Sequence, residues 1–138
     1  MNRKDFQALA QVRLREAQAL LANGLPDGAY YLCGYAVECA LKACIAKKTL
    51  RHDFPPDPRT LQSIYTHELS RLIDPARLTD TLAAQQQADR IFARNWTTVR
   101  SWSEQSRYSR HTTGEAQDLY TAIADRQRGV LQWIRRYW

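Results

Sequence analysis

Residues Ala29 to Lys48, AYYLCGYAVECALKACIAKK, constrain this chain more than any other stretch. They are apolar on almost every side, and only Gly34, Glu38 and Lys42 interrupt them, four residues apart. On a helix that spacing lays the three along one slowly drifting line. A helix apolar all round belongs at the centre of a domain. A polar line on such a helix has to meet water, a partner chain or another buried charge. Arginines from elsewhere in the chain are expected to answer Glu38 and Lys42 in part.

The remainder is large enough to surround that helix. At 138 residues the chain fits a single domain over 1–138 with a core that needs no staples. Few Gly and Pro, with many Ala, Leu, Gln and Arg, favour helix over sheet. A formal charge of +6 suits a nucleic-acid or anionic partner and equally suits simple solubility. No apolar run reaches the roughly 20 residues of a membrane span, and MNRKDFQ lacks the shape of a secretory signal. Cys33, Cys39 and Cys44 all fall on the central helix, where the geometry disfavours a mutual disulfide. Buried, reduced thiols in a cytoplasmic protein are the expectation.

In chain order, residues 3–23 read as an amphipathic helix with Phe6, Leu9, Ala10, Ala17, Leu20 and Leu21 on one face, ended by Asn23–Gly24. Arg13 lies near the middle of that face, either turning its head outward or pairing inside with Glu38. A short turn, Pro26–Asp27–Gly28, makes the central helix an antiparallel neighbour. That helix is expected to end near Leu50, and Arg51–Arg59, with Pro55, Pro56 and Pro58, to be an extended loop. A helical turn over Thr60–Tyr65 follows. Thr66 then reads as the cap of a short helix, HELSRLI, and Asp74–Pro75 as the start of a long one running to about Trp102. Thr112 and Glu115 have capping-box spacing for a last helix from Glu115 to Tyr137. The expected architecture is an all-α, four- to five-helix up-and-down bundle.

Motif chemistry is sparse. His52, His67 and His111 stand apart, with no partner at metal-ligand spacing, and no Gly-rich phosphate loop occurs. Neither a metal nor a cofactor is expected. The remaining signal is a cluster in which Arg94, Asn95, Arg100, Arg107, Arg110 and His111 are interleaved with Trp96, Trp102 and Tyr108. Guanidinium groups grip phosphates and flat rings stack on bases. The plain alternative is that the tryptophans seal the core and the arginines solvate a helix face.

Three segments resemble the HEPN domain family. Ala36, Glu38, Leu41 and Lys42 match its A-x-E-x-x-L-K pattern, His67-Glu-Leu69 resembles its H-[DE]-L segment, and Trp102-Ser-Glu-Gln-Ser-Arg-Tyr108 resembles the W-x(4)-RY signature of one bacterial branch. The resemblance implies a helical bundle, commonly a homodimer, often encoded beside a minimal nucleotidyltransferase-type protein. Many members are RNases, toxins of toxin–antitoxin pairs or phage-defence factors, with an R-x(4–6)-H catalytic motif. Here that motif is not intact: Arg94–Asn95 begins it, but Val99 takes the histidine's place, and only three residues separate Arg107 from His111.

Two functions are therefore expected as alternatives. The first is a module binding a nucleotide, RNA or a partner protein in a groove lined by Glu38, Lys42, Arg94, Asn95, Arg107 and Tyr108, with Glu38 orienting an arginine. The second is a metal-independent endoribonuclease in which Arg107 clamps the phosphate and His111 is the acid/base.

Overall fold

The structure, a computed structural model, describes residues 1–52 and 58–138. The described residues are all helical or irregular, with no strand among them. Helix α1 (Arg3–Ala22) starts in a capping box in which Asn2 and Asp5 exchange side-chain-to-backbone bonds. It ends at Gly24, whose φ of 71° permits a left-handed residue. There Leu25 N–H reaches the Leu20 carbonyl at 2.9 Å and Gly24 N–H the Leu21 carbonyl at 3.2 Å, closing a Schellman turn. Helix α2 (Pro26–His52) then runs back along α1 as an αα-hairpin.

As its apolar periphery dictates, α2 is the axis of the molecule. Cys33, Ala36, Val37, Ala40, Leu41, Ala43 and Cys44 are fully buried along it. Helices α7 (Thr113–Ala124) and α8 (Val130–Arg135) pack on it, as do the short α4 (Leu69–Leu72) and a 3₁₀ turn over Glu104–Tyr108. Helix α3 (Pro58–Ile64) leads into α4, and α5 (Thr79–Ala88) with α6 (Arg90–Arg100) completes the bundle.

The bundle class agrees with expectation, but several boundaries differ, each for a local reason. Residues 53–57 of the expected loop lie outside the described residues, while Pro58 and Arg59 begin α3. Asp74–Pro75 does not open a helix. It lies in the closing turn after α4, where Leu78 N–H meets the Ile73 carbonyl at 3.0 Å and Arg77 N–H the Asp74 carbonyl at 2.8 Å. Arg77 takes the left-handed place usually given to glycine, at φ 58°. The long helix expected beyond is two helices, because Asp89 turns extended and its carboxylate accepts the Ile91 and Phe92 N–H groups as an N-cap. The last helix is likewise divided: Asp125 accepts from Gln127 and Arg128 N–H, and α8 restarts at Val130. Thr66 does not cap α4; its hydroxyl accepts the Glu68 N–H two residues on, and the helix starts at Leu69.

Candidate functional site

Each member of the polar line on α2 meets a different answer. Gly34 is a seat: a Cβ there would fall within the Trp102 indole, so only glycine lets the ring lie against the helix backbone. Trp102 is 2 % exposed, and its ring also meets Tyr31, centroids 6.1 Å apart. Glu38, also 2 % exposed, has its Oε1 2.7 Å from His67 Nδ1 and its Oε2 3.6 Å from Lys42 Nζ. His67 Nε2 in turn lies 3.2 Å from Glu104 Oε2, in the 3₁₀ turn. The two carboxylates thus face opposite nitrogens of one imidazole, and Glu38, His67 and Glu104 form a bridge.

The partner of the buried carboxylate is therefore a histidine from the stretch before α4, not an arginine. The reason is reach: the irregular residues 66–68 between α3 and α4 bring the imidazole onto α2. Arg13 does not enter the interior either. Its guanidinium pairs with Glu16 at 2.7 Å on the half-exposed flank of α1 and lies 6.0 Å from the Tyr35 ring centroid. From the sequence alone His67 reads as part of a helix start. Nothing local marks it as the partner of a residue 29 positions earlier. A cleft of about 310 Å³ opens beside the bridge, lined by Tyr65, Thr66, His67, Glu68, Ser103, Glu104 and Gln105. Its rim is acidic, which suits a cationic group better than a phosphate.

Trp102 and Glu104 thus fasten one end of the 101–113 segment to α2. Its other end is fastened at the start of α2. The His111 ring stacks on Tyr30 at 3.7 Å and 8°, its backbone N–H donates to Asp27 Oδ1 at 2.6 Å, and Nδ1 lies 3.3 Å from Glu115 Oε2. His111 Nε2 is buried without a protein partner among the described residues. Burial of Tyr30 pushes its phenol up from the ordinary value, with Glu115 and Cys33 adding.

Between the two fastenings, Arg107 and Tyr108 stand out. Tyr108 is 74 % exposed, and the Arg107 guanidinium lies 4.8 Å from its ring centroid. The Arg107 pKa is raised, first by Tyr108, against the opposing effect of desolvation, with the charge of Glu104 and the nearby Tyr31 adding. Of the other expected residues, Arg94 is exposed on α6, while Asn95 Nδ2 donates to the Arg128 carbonyl at 2.9 Å and so ties α6 to the turn before α8. Arg107 and Tyr108 are brought together with Tyr31, and Glu38 and Lys42 belong to the bridge beneath.

Among the described residues, no group of three His, Cys, Asp or Glu side chains is placed to hold a metal ion, and no helix is long and apolar enough to cross a membrane. The family model described as HEPN domain matches residues 6–137, nearly the whole chain. No curated protein and no solved structure matches it.

Proposed function

The chain belongs to the HEPN domain family, and from that premise we propose that it is a binding module for RNA or a nucleotide. In this reading it is a homodimer and acts beside a minimal nucleotidyltransferase-type protein in a toxin–antitoxin or defence-type system of the cytoplasm. The observation that carries the reading is the exposed Arg107–Tyr108 pair, held on a segment pinned by Trp102 on one side and His111 on the other. A planar cation beside an exposed ring offers a grip for phosphate and a surface for a base. Arg107 and Tyr108 touch the ligand, Glu38 and Lys42 position them through His67 and Glu104, and Arg94 supplies a further cation.

The endoribonuclease alternative, with Arg107 and His111, has less support. The His111 ring lies against Tyr30, and the Arg107 guanidinium lies over the Tyr108 ring.

The test is binding of a labelled RNA and of free nucleotides, measured by fluorescence anisotropy at two salt concentrations, for wild type and Arg107→Ala. RNA affinity is expected to fall with salt, with a logarithmic slope of about 0.7 per phosphate contacted, and the slope to shrink by about one contact in the variant. A folded sample that binds neither RNA nor any nucleotide overturns the reading. Incubation of total RNA in EDTA separates the alternative: cleavage by wild type that is lost in His111→Ala would establish it.

A further inference from the structure

Guanidinium groups and rings alternate across one side of the molecule, from α1 over α2 to the 3₁₀ turn. Arg13 stands 6.0 Å from the centroid of Tyr35. Tyr35 stacks parallel to Tyr31 one helical turn earlier, centroids 6.1 Å apart and planes within 5°. The Arg107 guanidinium, whose pKa the nearby Tyr31 helps to raise, lies 4.8 Å from the Tyr108 centroid. The order is cation, ring, ring, cation, ring.

Tyr31 and Tyr35 are half-buried, so their planes are fixed by the helix and by Trp102 behind Tyr31, while Tyr108 is largely exposed. Fixed rings lose little freedom when a base stacks on them. Every base has a π-face, and cations set between such rings reach the phosphates that link successive bases.

We infer that this strip is a platform for single-stranded RNA, with bases on Tyr31, Tyr35 and Tyr108 and phosphates on Arg13 and Arg107. The inference rests on the RNA- or nucleotide-binding reading above and adds which face is used and which form of RNA it takes. A duplex keeps its bases stacked on each other and offers them to no ring. A free nucleotide covers one ring and one cation and forgoes the others. Glu16, already paired with Arg13 at 2.7 Å, and Glu104, near Arg107, compete with the phosphates and hold the affinity down.

The experiment uses the full chain and three probes: an unpaired RNA of about ten nucleotides, a duplex of the same sequence, and AMP. Variants are Tyr108→Leu, Tyr108→Phe and Tyr35→Leu, each checked by thermal melting. The unpaired RNA is expected to bind about tenfold or more tighter than the duplex or AMP. Tyr108→Leu and Tyr35→Leu should each weaken it by about fivefold or more, and Tyr108→Phe, which keeps the ring, should retain it. Tyr108 is exposed, so a failure of Tyr35→Leu to fold leaves the Tyr108 pair decisive. Unpaired RNA bound equally well by wild type and Tyr108→Leu overturns the platform and leaves RNA binding standing at another face. Wild type that binds no RNA overturns both. Variants that dissociate a dimer with no change in RNA affinity overturn the platform in favour of a protein interface, where Tyr and Arg are also enriched.

Discussion

The two flanks of α2 bury ionisable groups in opposite ways. On one flank Cys33 and Cys44 are wholly enclosed, and desolvation pushes each thiol up to about 12 from an ordinary 9.0. A neutral thiol asks for almost nothing; Cys44 makes only a long contact, 3.9 Å, with the Ile134 carbonyl. On the other flank a carboxylate cannot be enclosed so cheaply. Glu38 draws in His67 and Lys42, and His67 draws in Glu104. The thiol flank therefore packs helices, while the carboxylate flank recruits segments remote in sequence and fixes the stretch that exposes Arg107 and Tyr108.

The largest effect in this contrast belongs to Trp102, which occupies the Gly34 seat on the recruiting flank. Trp102→Ala is expected to cost about 3–5 kcal/mol in urea unfolding, the range for a buried aromatic truncation. The melting temperature should fall by roughly 2–4 °C for each kcal/mol. A cost no larger than that of a surface substitution would mean that the 101–113 segment is held elsewhere.

Next comes the bridge itself. Glu38→Ala removes the common acceptor of His67 and Lys42 and should cost about 1–3 kcal/mol. The double variant with His67→Ala should cost clearly less than the two singles added, because they delete one shared interaction. Strict additivity would show that Glu38 and His67 do not act together and would erase the contrast with the thiols.

The thiol flank is tested by alkali. An unfolded thiol ionises above about pH 9, whereas Cys33 and Cys44 stay protonated in the fold until about 12. The unfolded chain thus binds fewer protons over that window, and stability falls as pH rises, by about 1 kcal/mol per thiol per pH unit. Below pH 8 these two groups contribute no slope. Replacing both by Ala should lower stability at neutral pH and flatten its decline between pH 9 and 11.

The same contrast explains what could be read from the sequence. Burial of α2 follows from its being apolar on almost every side, and Gly24 and Thr112 announce their turns by residue type, so the bundle and those caps were legible. The divisions at Asp89 and Asp125 were not, because the apolar pattern runs on through both and outweighs a single capping carboxylate. Glu38 stood out as a buried charge, but His67 did not, since pairing between positions 29 apart leaves no local trace. Arg107 and Tyr108 were legible as residue types suited to phosphate and base; the ring series on α2 beside them was hidden within an apolar run, where Tyr31 and Tyr35 look like core.

The smallest effect on stability is the sharpest test of what the recruiting flank is for. Arg107 is exposed, and its guanidinium lies over the ring of Tyr108 without filling the core. Arg107→Ala should therefore move the melting temperature by no more than about 2 °C, while Glu38→Ala moves it several times as far. If the bridge exists to present Arg107, the two variants should nonetheless weaken RNA binding together: one by removing the grip, the other by loosening the segment that carries it. Glu38→Gln, which can still hydrogen-bond to His67, should keep more of both stability and binding than Glu38→Ala. Loss of stability in Glu38→Ala with RNA binding intact would separate the two and make the bridge a device of packing alone, no different in kind from the thiols on the far side of the helix.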